Sequence, residues 1–322
     1  MSSGTFTKAD RVMSKQDPRA GLDRHGAVVA MCLIFCAAAM DTSAQGSQDA
    51  SNSARPTAEQ GDPQGDSSCV VLTGQAIPGG LMWAQTVPTA TIRLNGVAVP
   101  LVADGRFMIG FGRDATGVQR LSVQTETLCE QDIALHTRDY RIQRVEGVPQ
   151  RTVTPPEEDL ARIRADRALV AAAKAQRFAR PDLFDAATTS FAWPVLGPIS
   201  GVYGSQRFYN GSPGNPHYGV DIAVPTGTPV RAPAPGVVTL AEPDLYYSGG
   251  TVILDHGYGL SSSFLHMSAI HVKVGDELVV GDLLGEVGAT GRATGPHLDW
   301  RMNWLSDRVD PQLLVPPMPS TP

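Results

Sequence analysis

The sequence predicts a mostly β protein with an N-terminal β-sandwich-like domain, a helical linker and a C-terminal antiparallel β-sheet domain. Short segments of alternating apolar and polar residues recur on both sides of the linker, with Gly, Pro, Asn and Asp between them. One segment rich in Ala, Arg, Glu and Leu separates the two groups of strands. The chain has 322 residues, of which 42% are hydrophobic, and this is enough for one to two globular domains.

Residues 1–44 are expected to be a signal peptide. Basic residues precede the apolar stretch 27–40, and the small residues 42–44 suit cleavage near Gln45. The apolar stretch is short for a membrane span, so we expect no stable span once the signal is removed. An uncleaved N-terminal anchor is the alternative.

The segment 45–67 differs in composition from the domain that follows it. It is rich in Ser, Gln, Asp, Gly and Pro and predicts a disordered linker. Residues 68–148 contain short apolar alternations separated by Asn-Gly at 95–96 and Asp-Gly at 104–105, a spacing typical of a β-sandwich. This domain has no catalytic constellation, and by elimination we assign it a spacing, docking or binding role.

The placement of the cysteines agrees with export. Cys32 and Cys36 lie in the signal segment, which leaves Cys69 and Cys129 in the mature chain. We expect a disulfide between these two, because exported proteins mature in an oxidising compartment. Two buried free thiols are the alternative.

A helical linker is predicted over residues 149–190. Two prolines at 155–156 precede the segment 157–177, whose Ala, Arg, Glu and Leu content favours a helix. Its apolar stripe is weak, because Arg167 interrupts the face formed by Leu160, Ile163 and Val170. We therefore expect a spacer helix with one face that could pack on a neighbour.

The C-terminal domain is expected over residues 191–315, followed by a flexible tail at 316–322. It contains His217 and Asp221, which are four residues apart. Pro and Gly in the segment 213–219 argue against a helix. We therefore predict a turn that presents His217 and a strand that presents Asp221.

His297 and Asp299 form a second pair in the same domain. They are two residues apart on a predicted strand, so their side chains share one face and can approach one centre. The neighbours Leu298 and Trp300 are then expected to face apolar packing.

These four residues together predict a metal site. A carboxylate such as Asp221 on an apolar strand needs a partner, and buried charges are usually paired or bound to metal. A catalytic zinc ion takes about three nitrogen and oxygen ligands from the protein and keeps a further position open for water. The alternative for a histidine is a packing or surface role, which we expect for His256 and His271.

An ordered series of motifs runs through residues 191–312. They are His217-x-x-x-Asp221, the strand run 229–238, the segment 249–255, Leu265-His266-Met267-Ser268, Val274-Gly275-Asp276, the glycine-rich run 285–291 and Gly295-Pro296-His297. In these motifs the chain resembles the lysostaphin/LytM-type zinc metallopeptidases, which cleave peptide bonds in bacterial peptidoglycan. The resemblance implies a β-sheet metallopeptidase domain of the LytM type. It also implies that His217 and Asp221 bind one Zn²⁺ per chain and that His266 and His297 assist catalysis.

The chain departs from that family at one ligand. The family's closing His-x-His is His297-Leu298-Asp299 here, so the third metal ligand would be the carboxylate of Asp299. Carboxylate oxygen is a zinc ligand. One imidazole and two carboxylates would neutralise the ion, and a less positive site should acidify its bound water less strongly. Some family members that lose several of these residues regulate other wall hydrolases without cutting, and this is the main alternative function.

We expect a secreted or periplasmic zinc metalloendopeptidase that cleaves peptide cross-links of peptidoglycan by zinc-activated water with histidine assistance. Peptidoglycan is the expected partner, and other envelope or cell-wall enzymes are further candidates. A net charge of -6 without a Lys/Arg cluster argues against nucleic-acid binding. A structural metal site is a weaker interpretation, and Asn210 or Asn215 could occupy the open zinc position in a latent form.

Overall fold

The computed structural model describes residues 68–189 and 191–319. The predicted signal peptide and disordered linker, residues 1–67, lie outside the described residues. Among the helices of the described segments, none combines the length and the apolar character that a membrane span requires.

Two small antiparallel sheets form the N-terminal part of the described chain. Their strands pair in the orders β1-β2-β5 and β4-β3-β6-β7. The alternation in the sequence explains the burial, since Ile92 and Leu94 are buried while Thr91 and Arg93 between them are exposed. The strands are β1 (Thr73–Gly74), β2 (Leu81–Gln85), β3 (Thr91–Leu94), β4 (Val97–Val99), β5 (Arg106–Gly110), β6 (Val118–Gln124) and β7 (Leu128–Ala134).

The predicted Asn-Gly turn joins two of these strands. Asn95 and Gly96 have φ values of 49° and 80°, the left-handed conformation that a two-residue hairpin turn requires. The predicted disulfide is also confirmed, because Cys69 and Cys129 are bonded with their Cα atoms 5.7 Å apart. It closes a loop with a sequence separation of 60, for which chain-entropy arguments give a stabilisation of about 4 kcal/mol.

The segment predicted as a helical linker is helical. It consists of α1 (Gln150–Val153), α2 (Glu157–Ala175) and α3 (Pro181–Thr189), and the strand β8 (Ile142–Val145) precedes it. Helix α2 matches the helix predicted over 157–177. Three acidic residues occupy its first turn, where the helix dipole favours negative charge.

A large antiparallel sheet organises the C-terminal part. Its strands follow the order β18-β14-β15-β16-β20-β12-β9, and β21 pairs with β20. Two three-stranded sheets accompany it within the described residues, in the orders β13-β19-β17 and β11-β10-β8, where β8 runs parallel to β10. The elements are β9 (Ile199–Gly201), β10 (Gln206–Tyr209), β11 (Ser212–Pro213), β12 (Gly219–Ile222), β13 (Pro229–Arg231), β14 (Gly236–Leu245), β15 (Gly249–Asp255), β16 (Leu260–Met267), β17 (Ala269–Ile270), β18 (Glu277–Leu278), β19 (Leu283–Glu286), β20 (Leu298–Trp304), β21 (Asp307–Val309) and the 3-10 helix Pro311–Leu313.

One face of the large sheet is apolar and buried. The predicted inward-facing residues Leu298 and Trp300 are on this face and are fully buried. Apolar side chains of the two N-terminal sheets, such as Phe107, belong to the same continuous core. The division into separate domains at 148/149 and 190/191 therefore stays a prediction.

Helix α2 lies against the opposite face of the large sheet, beside β14 and β15. Ala173 and Val170 of the helix pack with a small apolar cluster that includes Ile253. The predicted apolar stripe is wrong at Leu160, which is 38% exposed, because the buried positions of α2 begin at Ile163. Strand residues on this second face include polar side chains, and the candidate site lies among them.

His256 has the packing role that the sequence predicts. The buried ring makes hydrogen bonds through Nδ1 to the carbonyl oxygen of Pro235 and through Nε2 to Ser262 Oγ, both at 2.8 Å. Burial lowers the pKa of His256 from 6.5 to about 4. Between these two values the unfolded chain binds more protons than the folded chain, so stability is lost as the pH falls from 6.5 towards 4.

This linkage gives a testable prediction. His256→Gln is less stable than the wild type at pH 7, because it loses buried hydrogen bonds. The difference in the free energy of unfolding should shrink by about 2 kcal/mol between pH 7 and pH 5, since the variant has no imidazole to protonate. Urea denaturation at a series of pH values measures it, with the surface variant His271→Gln as control. A difference that stays constant with pH would contradict the assignment.

Candidate metal centre

Three of the predicted site residues converge in the fold. His217, Asp221 and Asp299 are all buried, and one potential ligand atom from each lies within 4.8 Å of the others. Asp221 is on β12, Asp299 is on β20, and the two face each other directly in the antiparallel register. His217 lies in the irregular segment between β11 and β12, so the predicted strand at Asp221 is confirmed, whereas no turn is formed at His217 itself.

The nitrogen and oxygen atoms that could bind a metal face one another, and no N–H or O–H group lies between them. His217 Nδ1 lies 3.3 Å from the carbonyl oxygen of Val202 and donates to it, so Nε2 presents its lone pair. Nε2 is 2.8 Å from Asp221 Oδ1 and 3.4 Å from Asp299 Oδ1. In the described chain, His217 Nε2 and Asp221 Oδ1 are buried without a hydrogen-bond partner. Electron-rich atoms in this arrangement require a positive charge between them, either a proton or a metal ion.

The pKa of His217 reflects this requirement. Burial disfavours the charged ring, but the neighbouring carboxylates of Asp221 and Asp299 outweigh burial and raise the pKa above its ordinary value. His217 therefore holds a proton more strongly than an exposed imidazole does. The same negative field favours a divalent cation, and one imidazole nitrogen with two carboxylate oxygens is a donor set that suits zinc.

Two arginines that the sequence analysis missed hold the carboxylates. Arg207 Nη2 donates to Asp221 Oδ2. Arg301 donates to Asp299 from Nη2 at 2.5 Å and from Nε at 3.0 Å. The signal for Arg301 was present, because it lies two residues beyond Asp299 on the same strand and therefore on the same face. Arg207 comes from β10, and no spacing in the sequence connects it with Asp221.

These ion pairs correct the charge expected from the ligands alone. The two carboxylates of Asp221 and Asp299 are balanced by the guanidinium groups of Arg207 and Arg301. A divalent ion at this position would therefore not be neutralised by its surroundings. The expectation that the site acidifies water less strongly was based on the charges of the ion and its ligands alone. The positive charges of Arg207 and Arg301 remove the reason for that expectation.

Two glycines leave space for the ion pairs because they have no side chain. A Cβ atom at Gly219 would lie 2.5 Å from Arg301 Cγ and 2.6 Å from Asp299 Oδ1. A Cβ atom at Gly201 would lie 2.3 Å from Asp221 Oδ2. Any larger residue at either position would displace a carboxylate or its arginine.

The two predicted catalytic histidines lie next to each other at this site. The ring centroids of His266 and His297 are 4.8 Å apart, and His297 Nε2 is 3.9 Å from Asp221 Oδ1. In each ring Nδ1 donates at 2.8 Å to a backbone carbonyl, that of Thr290 for His266 and that of Gly295 for His297. With Nδ1 as the donor, the ring nitrogen left to accept a proton is Nε2 in both residues.

His266 is held neutral by its surroundings. Burial, together with the nearby His297, lowers its pKa to about 4, although the charge of Asp299 opposes the shift. Its backbone has a φ of 65°, an uncommon conformation for a side chain other than glycine. A neutral ring whose Nδ1 proton is already donated suits proton acceptance better than stabilisation of an anion.

The other residues considered from the sequence lie outside this cluster. His271 pairs with Glu286 on the surface at 3.2 Å, as expected for a surface role. Asn210 makes hydrogen bonds with both backbone groups of Val148, accepting at 3.2 Å and donating at 2.7 Å. These bonds occupy the Asn210 side chain, so it is not free to act as a ligand in this conformation.

Comparisons with known proteins agree on one family. Residues 215–311 match the model of Peptidase family M23. This segment includes all five of the predicted site residues.

Curated relatives match over part of their length. Peptidoglycan DD-endopeptidase ShyA of Vibrio cholerae is 41% identical over 87 residues, 27% of this chain and 20% of that protein. DD-carboxypeptidase/endopeptidase Mpg of Neisseria meningitidis is 39% identical over 103 residues, 32% of this chain and 24% of that protein. The chain thus spans a quarter or less of the length of these two relatives.

A solved structure matches over most of its length. A crystal structure described as a peptidase M23 from Pseudomonas aeruginosa shares 30% sequence identity with this chain. The match covers 74% of this chain and 94% of that one, with a TM-score of 0.57. The likeness therefore extends well beyond the segment that contains the site.

The Asp299–Arg301 pair gives a prediction about the departure from the family. Asp299→His leaves a largely buried guanidinium without its partner, so the metal-free variant should lose on the order of 2 kcal/mol in the free energy of unfolding. Asp299→His combined with Arg301→Met removes the unpaired charge, and should recover most of that loss and bind zinc more tightly than the single variant. Urea denaturation and zinc titration of the three proteins measure both effects. A double variant no better than Asp299→His would show that the two residues are not coupled.

Proposed function

The chain belongs to peptidase family M23, and on this premise we propose that it is a zinc metalloendopeptidase that cleaves peptide cross-links of bacterial peptidoglycan. The names of the relatives support the substrate, since ShyA and Mpg are described as endopeptidases and ShyA as one that acts on peptidoglycan. A secreted or periplasmic location follows from this substrate.

One observation carries the metal part of the proposal. His217 Nε2 and Asp221 Oδ1 are buried, 2.8 Å apart and without a hydrogen-bond partner in the described chain. Asp299 completes the set from the facing strand. We assign these three residues as the zinc ligands, with one ion per chain.

The arginines give the ligands a fixed geometry. Arg207 and Arg301 each bind one carboxylate of the set, so Asp221 and Asp299 need little rearrangement when the ion binds. A bound zinc ion supplies Lewis-acid polarisation and a water of lowered pKa. The charge of the arginines favours negative charge that develops on a substrate carbonyl.

His266 and His297 move protons in the proposed mechanism. Their Nε2 atoms are free to accept, because both Nδ1 protons are donated to backbone carbonyls. One ring takes a proton from the attacking water, and a proton is then delivered to the nitrogen of the leaving amine. The paired arrangement places both rings at one side of the ligand set.

A regulatory module is the rival function, and Asp299 is the observation that favours it. Such a module would hold peptidoglycan or another wall enzyme without cutting. The rival predicts binding that is indifferent to chelators and no cleavage. The enzyme predicts cleavage that stops when zinc is removed and returns when zinc is added.

The first prediction from this proposal concerns metal content. The purified protein should contain about one zinc ion per chain, and Asp221→Ala should contain none, because a ligand and the partner of Arg207 are lost together. Arg164→Met on the exposed face of α2 is a control that should keep its zinc. Elemental analysis after incubation with zinc measures the occupancy. A wild type that stays metal-free would contradict the proposal.

The second prediction separates proton transfer from metal binding. His266→Ala should keep zinc but lose about a hundredfold to ten-thousandfold in the rate of cleavage, the usual contribution of a general acid-base group. His217→Ala should lose both zinc and activity. Digestion of isolated peptidoglycan, read by mass spectrometry beside zinc analysis, distinguishes the two variants. Release of zinc by His266→Ala would show that His266 is a ligand instead.

A further inference from the structure

A cavity of about 600 Å³ lies between helix α2 and the polar face of the large sheet. Its volume is within the range of small-molecule binding sites. Arg301 lines the cavity and also binds Asp299, so the cavity is adjacent to the proposed zinc site. One β-strand step of two residues, about 7 Å, separates Asp299 from Arg301 along β20.

The charged residues around this cavity are mostly cationic. One acid, Asp166, is among them, and its carboxylate already accepts a hydrogen bond from the backbone N–H of Tyr246 at 2.7 Å. The cations in the lining are Arg167, Lys174, Arg177, Arg301 and Arg308. Arg301 is paired with Asp299, and the other four cations still outnumber the one acid, so the cavity has a positive field that attracts an anion.

Two of these cations converge on a neutral atom. Lys174 Nζ donates to Asn303 Oδ1 at 2.8 Å, and Arg308 Nη1 donates to the same oxygen at 3.0 Å. Both side chains are partly buried, and within the described residues neither Lys174 nor Arg308 forms an ion pair with a carboxylate. Burial and the repulsion of neighbouring arginines lower the pKa of both side chains, that of Arg308 to about 10.

A buried hydroxyl also lacks a partner in this cavity. Ser263 is 3% exposed, and its Oγ has no hydrogen-bond partner in the described chain. It lies on β16 directly opposite Arg301 of β20 and faces the same side of the sheet. Ser263 lines the same cavity as Lys174 and Arg308, and an anion with several acceptor oxygens would satisfy its hydroxyl and pair with the two cations.

We propose that this cavity binds a carboxylate group of the peptide substrate, held by Lys174, Arg308 and the hydroxyl of Ser263. The proposal rests on the proposed function, because it takes the anion to belong to a peptide whose scissile bond lies at the zinc site. The cavity would then select peptides with a free carboxylate a few residues from the bond that is cut. Free phosphate or acetate has similar chemistry and is the alternative occupant that the experiment distinguishes.

The test uses N-acetylated cross-linked muropeptides with carboxyl groups either free or converted to methylamides. Isothermal titration calorimetry on the full zinc-loaded chain carrying His266→Ala measures binding without consuming the peptide. The free acid should bind at least about tenfold more tightly than the amide, since the amide cannot form a charge-assisted hydrogen bond with Lys174 or Arg308. Lys174→Met and Arg308→Met should each weaken binding of the free acid about tenfold and abolish its advantage over the amide.

Arg164→Met is the matched control, because it removes one positive charge from the exposed side of the same helix. It should leave the advantage of the free acid unchanged. Thermal unfolding of each variant shows whether it is folded. If Lys174→Met fails to fold, Arg308→Met still tests the cavity, because Arg308 belongs to the sheet and not to the helix. Equal binding of acid and amide, or an advantage that persists in Lys174→Met and Arg308→Met, would overturn the proposal.

Inorganic phosphate is titrated in the same way. If phosphate binds at Lys174 while the acid and amide peptides bind equally, the cavity binds a free anion. The proposal that it binds a peptide carboxylate would then be overturned. These outcomes are independent of catalysis. A wild type that cleaves peptidoglycan, beside peptides that bind without acid preference, refutes only the carboxylate site. Acid preference beside a wild type that cleaves no peptidoglycan refutes only the proposed function.

Discussion

Two buried carboxylates that face each other across adjacent strands are the constraint on which the site depends. The register of β12 and β20 places Asp221 directly opposite Asp299. Like charges in this position repel and would destabilise the sheet. Positive charge comes from two directions, the guanidinium group of Arg207 beside Asp221 and that of Arg301 beside Asp299. No positive charge lies between His217 Nε2 and the carboxylate oxygens, so a divalent cation is most strongly favoured at this position.

The same strand connects the two sites of this face. Along β20, residues of odd number from Asp299 to Asn303 point away from the apolar core, while Leu298, Trp300 and Met302 are buried within it. Arg301 lies between the metal cluster and the cationic cavity and contributes to both. A change at Arg301 should therefore affect metal binding and peptide preference together, whereas changes at Lys174 should affect preference alone.

Local pattern was sufficient for part of this structure. Alternation and Asn-Gly turns predicted the strands around Ile92, and the i, i+2 spacing on a strand placed Asp299 on one face with Trp300 on the other. The helix over 157–177 was predicted from composition, but its packing was not, since Leu160 proved exposed and Ile163 buried. Which helical positions meet a sheet depends on how the helix crosses it, and the sequence of the helix does not contain that angle.

Contacts between distant segments were beyond the sequence analysis. Arg207 reaches Asp221 from another strand. Lys174 of α2 binds Asn303, which is 129 residues away in the chain and also accepts a hydrogen bond from Arg308. Their partners depend on tertiary register, for which a single sequence gives no signal. The charge of the metal centre was misjudged for this reason.

Zinc anomalous diffraction from crystals of the zinc-loaded protein tests the central claim most directly. We predict one zinc peak bound by His217 Nε2 and by one oxygen each from Asp221 and Asp299, at about 2.0–2.2 Å. Arg207 and Arg301 should remain hydrogen-bonded to these carboxylates. Carboxylates bound by arginine alone at saturating zinc, or a zinc peak at another position, would contradict the account.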